Sequence, residues 1–183
     1  MRVISGEYKG RKLEAPLDMR VRPTTDKVRE AVFDIIMNDI YGSVFCDLFA
    51  GSGAMGIEAL SRGSRMCWFC DSDRDSIRLI KKNIISVGAK DKSRVIAGDY
   101  KKALRKIDGK IDIFFIDPPY ESGLYESCLS QIEILDLLSD EGIIIAEHDI
   151  RNEMPESTGY LDLIKEKKYG KTALSIYRKH TDE

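Results

Sequence analysis

The sequence predicts a doubly wound α/β protein built on a mostly parallel sheet. Short apolar runs alternate with helical patterns along most of the chain, as strand–helix–strand units require. One run, residues 44–49 broken only by Asp47, passes into Gly51-x-Gly53-x-x-Gly56 and then into a helical pattern. Four acids, Asp47, Asp71, Asp99 and Asp117, close or directly follow apolar runs. That places them on the carboxyl rim, where such sheets bind ligands.

Each element follows from its own pattern. Residues 2–15 read as a hairpin with glycines at 6 and 10, too poor in apolar residues to hold a core alone. Thr25 or Asp26 can cap a helix whose stripe is Val28, Ala31, Val32, Ile35 and Ile36. After the glycine turn a helix runs to about Arg62 and stops at Gly63. A strand at 66–71 leads to a helix opened by Asp73, carrying Ile77, Ile80 and Ile84 and closed by Gly88. A short strand at 94–97 and a helix with Ala103, Leu104 and Ile107 come next. The strand at 111–116 is nearly all apolar, which suits a central parallel strand. A helix over 125–138, a strand over 142–146 and a terminal hairpin (160–166 and 172–177, turning at Gly170) complete the pattern. The tail from Arg178, with His180, is expected to fray.

Composition excludes several classes. The 183 residues are 43% hydrophobic and 33% charged, and no run approaches the roughly 18 apolar residues of a membrane span. The first residues do not read as a signal peptide, so a cytoplasmic protein is expected. Cys67 and Cys70 sit three apart in a strand and therefore face opposite ways. With no second pair to complete a zinc site, they read as structural thiols, and no metal is expected.

Net charge is −2, but its distribution is uneven. Residues 1–29 hold eight Lys/Arg against four acids, leaving the remaining 154 residues at −6. This points to a basic extension over 1–22, with Arg2, Lys9, Arg11 and Lys12 meeting a polyanion, ahead of a Rossmann-like domain over 23–183.

The glycine turn followed by Asp71, 20 residues past Gly51, suits a nucleoside-bearing cofactor, since an acid there can accept from ribose hydroxyls. Asp117-Pro118-Pro119-Tyr120 narrows the chemistry. Proline stiffens the backbone and donates no hydrogen bond, so the Pro118 carbonyl and the Asp117 carboxylate offer two fixed acceptors to a planar amine. Tyr120 offers a face on which a base can stack.

These motifs resemble the class I methyltransferases that modify exocyclic amines. Within them the chain closely resembles the bacterial RsmD-like family of small-subunit (16S) ribosomal RNA guanine-N2 methyltransferases. The matching stretches are residues 2–16, 22–31, 47–63 and 117–120. The resemblance implies a seven-stranded, mostly parallel sheet with an N-terminal β-hairpin extension. It implies S-adenosyl-L-methionine held at the glycine turn by Asp47, Phe49, Gly51, Ser52 and Gly53. Asp71 and Ser72 would meet the ribose, Asp99 and Tyr100 the adenine, and Arg22 and Thr24 would close over the cofactor. Asp117, Pro118, Pro119 and Tyr120 would be catalytic. Asp71 stands where Glu would be usual in the pattern. The implied partner is 16S ribosomal RNA within the small subunit or an assembly intermediate, with no membrane and a monomeric enzyme.

Three other readings compete. A DNA adenine-N6 methyltransferase shares the Asp-Pro-Pro-Tyr motif but ordinarily needs a target-recognition domain. An NAD-dependent oxidoreductase needs a substrate domain that the chain lacks. A non-catalytic RNA-binding module would use the basic extension alone. Glu147 and His148, at the end of a strand, have no role assigned by sequence.

Overall fold

The computed structural model describes residues 1–17, 24–119 and 123–180. Its strands are β1 (Val44–Asp47), β2 (Met66–Asp71), β3 (Ser93–Ala97), β4 (Ile111–Ile116), β5 (Leu138–Asp149), β6 (Ser157–Thr158), β7 (Leu161–Tyr169) and β8 (Thr172–Lys179). They form one sheet in the order β3-β2-β1-β4-β5-β8-β7-β6. The first five are parallel, and β8, β7 and β6 continue the sheet by antiparallel pairing. Eight strands stand where seven were expected, because the two-residue β6 pairs on the outer edge of β7.

Helices cover both faces. α1 (Asp26–Ile35), α2 (Ala54–Ser61) and α3 (Arg74–Val87) pack on the face that carries Phe45, Ile113, Phe115, Ile143 and Ile145. α4 (Tyr100–Lys106) and α5 (Leu124–Ile134) pack on the face that carries Cys46, Phe114, Ile116, Ile144 and Ala146. The alternation of these residues along β1, β4 and β5 is the period-two geometry of a strand. Cys67 and Cys70 fall in the two different cores, as their offset requires. All four cysteines are buried and free.

Two sequence expectations change at the C-terminal half. The helix expected to reach residue 138 stops at Ile134. Asp136 adopts φ 47°, a left-handed conformation that Asp tolerates, and Leu137 N–H turns back to the Ile132 carbonyl at 3.1 Å. Lys110 holds this corner through the Asp136 carbonyl and carboxylate, so β5 starts four residues earlier than its apolar run suggests. The tail is also pinned at His180, whose backbone N–H donates to the Tyr160 carbonyl and whose ring meets Asp162 and the Gly159 carbonyl.

The N-terminal segment folds back on itself with less strand than expected: only Arg2 and Lys12 form a bridged pair. Val3, Tyr8 and Leu13 enter the core between the helices. The buried Glu58 carboxylate accepts from the Ile4 and Ser5 N–H groups and from Arg62, and Ser61 receives Glu7 and Tyr8. At the other end of the arm, Asn83 bonds both the N–H and carbonyl of Glu14 and also the Ser52 carbonyl in the glycine turn. The arm thus runs along the flank of the domain from the carboxyl rim to the opposite edge, where Gly63 meets Gly42 just before β1.

The glycine turn needs its glycines for two different reasons. Gly53 caps α2 with φ 81°, which an L side chain resists. Gly56 has ordinary helical geometry, but a Cβ there would lie 2.3 Å from the Phe69 ring and 2.7 Å from Cys67 Sγ. α2 can approach β2 only because that atom is missing. Gly56→Ala should therefore destabilise the fold by about 1–3 kcal/mol, the usual cost of overpacking a close-packed core. Urea unfolding measures this, and an unchanged midpoint would show that Phe69 moves aside freely.

Candidate active site

The carboxyl rim is set by strand register. Asp47 pairs with Phe115, and Ile116 with Ala146, so Asp117 and Glu147 follow side by side on adjacent strands. Period-two alternation then places Asp47, Asp117 and Glu147 on one face, beneath the start of α1. Thr24, just ahead of α1, donates its hydroxyl to Glu147 Oε2 at 2.8 Å. Behind β5, the Tyr125 hydroxyl donates to the Glu147 carbonyl at 2.8 Å.

Burial and neighbouring charge raise Asp117 and Asp47. Burial pushes Asp117 well above the usual carboxylate range, and the charges of Glu147 and Asp47 push it further, with the nearby Thr24 hydroxyl opposing. Burial also raises Asp47, to about 7, with the Gly56 hydrogen bond opposing and Asp71 adding. Such a rim has a chemical use for a cationic group or for several N–H donors.

The glycine turn is braced from beneath. Asp47 is only 1% exposed and its Oδ2 accepts the Gly56 N–H at 3.1 Å. Asp71 accepts the Gly51 N–H at 2.8 Å through Oδ2 and the Asp73 N–H at 2.9 Å through Oδ1. Burial raises the Asp71 carboxyl, and those backbone bonds partly offset the effect. Ser52 is buried beside Met1, and Ser72 is exposed next to Asp71. A Cβ at Gly51, where φ is 57°, would meet nothing within 4 Å, so the turn opens onto space.

Phe49 and Tyr100 form an aromatic wall across the rim, with ring centroids 6.0 Å apart. The Tyr100 hydroxyl and Ser127 Oγ lie 2.6 Å apart. Asp99 caps α4, accepting the Lys102 N–H at 2.9 Å; this bond chiefly lowers its carboxyl below the ordinary value. Pro118 is buried and Pro119 exposed. Arg22 and Tyr120, both singled out by sequence, lie outside the described residues.

The four basic side chains of the arm, Arg2, Lys9, Arg11 and Lys12, are all exposed. Arg11 stacks over Tyr8, 5.8 Å from its ring centroid, and reaches the Ser86 carbonyl at the end of α3. Arg11 thus lies beside α3, and the Arg2 carbonyl accepts from Arg29 of α1. His148 turns to the other side of the sheet, where its ring meets the Asp149 carbonyl at 2.8 Å and Ser175 Oγ at 2.7 Å, a structural placement. Among the described residues no cluster of three His, Cys, Asp or Glu could hold a metal, and no helix is long and apolar enough to cross a membrane.

Sequence reasoning passed over Glu58 and Asn83, which fasten the arm. Both are polar side chains at positions that the surrounding pattern makes buried, and that mismatch is the signal that could have exposed them.

The solved structure of yhhF from Escherichia coli superposes with a TM-score of 0.88 at 33% identity, covering 98% of this chain and 97% of that one. Sheet order, glycine turn and acidic rim define a class I, Rossmann-like methyltransferase. YlbH of Bacillus subtilis (strain 168) is 41% identical over 182 residues, 98% of this chain and 99% of that protein. The ribosomal RNA small subunit methyltransferase D of Escherichia coli (strain K12) is 34% identical over 179 residues, 98% of this chain and 90% of that one. The family described as "Conserved hypothetical protein 95" matches residues 1–178. The chain belongs to that family, the RsmD family of methyltransferases.

The raised Asp47 carboxyl has a consequence for stability. Folded, it keeps its proton up to about 7, whereas an unfolded Asp releases it near 3.8. Its contribution is full below the unfolded value and is lost as pH rises through about 7. Asp47→Asn keeps an acceptor for Gly56 and should flatten the fall in thermal midpoint between pH 5 and pH 8. Equal slopes for the two proteins would contradict this assignment.

Proposed function

We propose that this enzyme methylates the exocyclic N2 amine of a guanine in small-subunit ribosomal RNA, with S-adenosylmethionine as donor. The observation that carries the reading is the pairing of Asp117-Pro118 with the acidic face beside an open glycine turn. The relative named ribosomal RNA small subunit methyltransferase D supports the substrate class.

The residues fit the cofactor. Gly51, Ser52 and Gly53 at the start of α2 would face its amino-acid part, because unpaired helical N–H groups suit a carboxylate. Asp71 would accept from the ribose hydroxyls, and the Phe49–Tyr100 wall would flank the adenine. Asp99, at the head of α4, would meet the adenine, and Ser72, next to Asp71, the ribose. Thr24 stands just ahead of α1 beside Glu147, and Thr24 and Arg22 would close over the cofactor. When bound, the cofactor supplies an electrophilic methyl group.

The chain's own work is orientation and charge. Guanine N2 is a poor nucleophile because its lone pair is delocalised into the ring. Hydrogen bonds to the Asp117 carboxylate and the Pro118 carbonyl turn that lone pair out of the plane and stabilise positive charge as the N–C bond forms. The surplus N2 proton then passes to Asp117. Pro119 keeps the backbone rigid, and Tyr120 stacks on a base withdrawn from its helix. Arg2, Lys9, Arg11 and Lys12 hold RNA phosphates along the arm. The enzyme works as a cytoplasmic monomer on the subunit or an assembly intermediate.

Labelled S-adenosylmethionine offered with hypomethylated small subunits, free ribosomal RNA and DNA tests this directly. Labelled N2-methylguanosine from the ribosomal substrate is expected, and label only in DNA adenine, or in nothing, overturns the reading. Asp117→Ala should lower kcat about 10²–10³-fold, as loss of one preorganised charge-stabilising group does, while cofactor affinity stays nearly constant. Because only ionised Asp117 can take the surplus N2 proton, and its carboxyl lies well above the usual range, kcat/KM should rise with pH beyond where ordinary carboxylates have finished titrating. A flat profile from pH 5 to pH 8 would remove Asp117 from that role.

A further inference from the structure

We infer that Glu147 reads the Watson–Crick edge of the target guanine: its carboxylate accepts the ring N1–H while Asp117 and the Pro118 carbonyl hold N2. The inference rests on the proposed function and adds a specificity-determining residue to it.

Register is the first support. Ile116 pairs with Ala146, so the next residues, Asp117 and Glu147, leave neighbouring parallel strands about 4.8 Å apart and toward the same face. A base whose N2 rests on Asp117 therefore presents its adjoining edge to Glu147. Fixation is the second support. The Thr24 hydroxyl holds Oε2 from above, and the Tyr125 hydroxyl holds the backbone carbonyl from below, each at 2.8 Å. A group that selects a base must be positioned before the base arrives.

Chemistry is the third. An ionised carboxylate only accepts hydrogen bonds. Guanine offers adjacent donors at N1 and N2, so two neighbouring carboxylates match it. Adenine and 2-aminopurine carry a bare lone pair at N1, which would face the Glu147 oxygens and be repelled. The mutual repulsion of the two acids, visible in the rise that Glu147 imposes on Asp117, falls when N–H donors enter between them.

The test compares guanine with 2-aminopurine at the mapped target position, introduced into small-subunit RNA by ligation. 2-Aminopurine keeps the N2 amine and lacks the N1–H. The wild-type enzyme should favour guanine by about 10²-fold or more in kcat/KM, as sites built to bond an N–H do. Glu147→Gln, whose amide can also donate to a bare N1, should cut that preference at least tenfold by losing on guanine and gaining on 2-aminopurine. Its melting point and cofactor affinity establish that it is folded. Equal losses on both bases would make Glu147 merely structural and overturn the inference. If the Gln variant folds poorly, Glu147→Ala should also narrow the preference, by losing on guanine and by removing the repulsion of a bare N1, and a wild-type ratio near one overturns the inference without any variant. If the wild type forms no N2-methylguanosine at all, the proposed function has failed, a different result from a failure of selectivity.

Discussion

Parallel register across β1, β4 and β5 is the constraint on which the site depends. It leaves no choice about where Asp47, Asp117 and Glu147 lie once the apolar residues before them are buried. Moving any one of these strands by one residue would send its acid to the opposite face and its core residues with it. The core therefore enforces the geometry of the acidic rim. The cost is concentrated charge, seen in carboxyls raised by burial and by one another. The fold tolerates it because Asp47 is bonded to Gly56 and Glu147 to Thr24. In the proposed reaction, a sulfonium and the N–H groups of guanine bring positive charge and donors to the acidic rim.

Much of this was readable from sequence because it follows from short-range rules. Strand–helix alternation placed the acids on the carboxyl rim, and the strand at 111–116 emerged with the expected bounds. What escaped depends on contacts between distant segments. Nothing local links Thr24 to Glu147, which are 123 residues apart. Residues 135–138 are apolar enough for helix or strand, and only the left-handed Asp136 held by Lys110 decides between them. Asp99 reads from sequence as a rim acid, yet its carboxylate also serves as the cap of α4, because a residue at that boundary is in reach of the first free N–H groups.

The N-terminal arm shows where charge counting runs out. Its basic surplus suggested a limb reaching for RNA, but its backbone and apolar side chains belong to the domain. Val3, Tyr8 and Leu13 are core residues, and Glu58, Ser61 and Asn83 take up its backbone groups. A composition statistic sees exposed Lys and Arg and misses the polar anchors beneath. Residues 1–17 of the arm are fastened to α2 and α3, so a polyanion they attract meets an anchored surface.

That fixed geometry gives the uneven charge a physical meaning. Residues 30–183 carry −6 and concentrate carboxylates on the rim, which repels phosphate there, while the exposed cations of the arm attract it. An RNA held by its backbone along the arm would be kept from laying that backbone across Asp117. A base can cross the gap because it is neutral and its donors match the acids. On this view the sign pattern does part of the selection before any hydrogen bond forms, favouring a nucleotide that can leave its stack over one fixed in a helix. Raising salt would weaken both the flank attraction and the rim repulsion, but the buried acids, screened less than the exposed cations, would retain the discrimination longer than the enzyme retains its hold on the RNA.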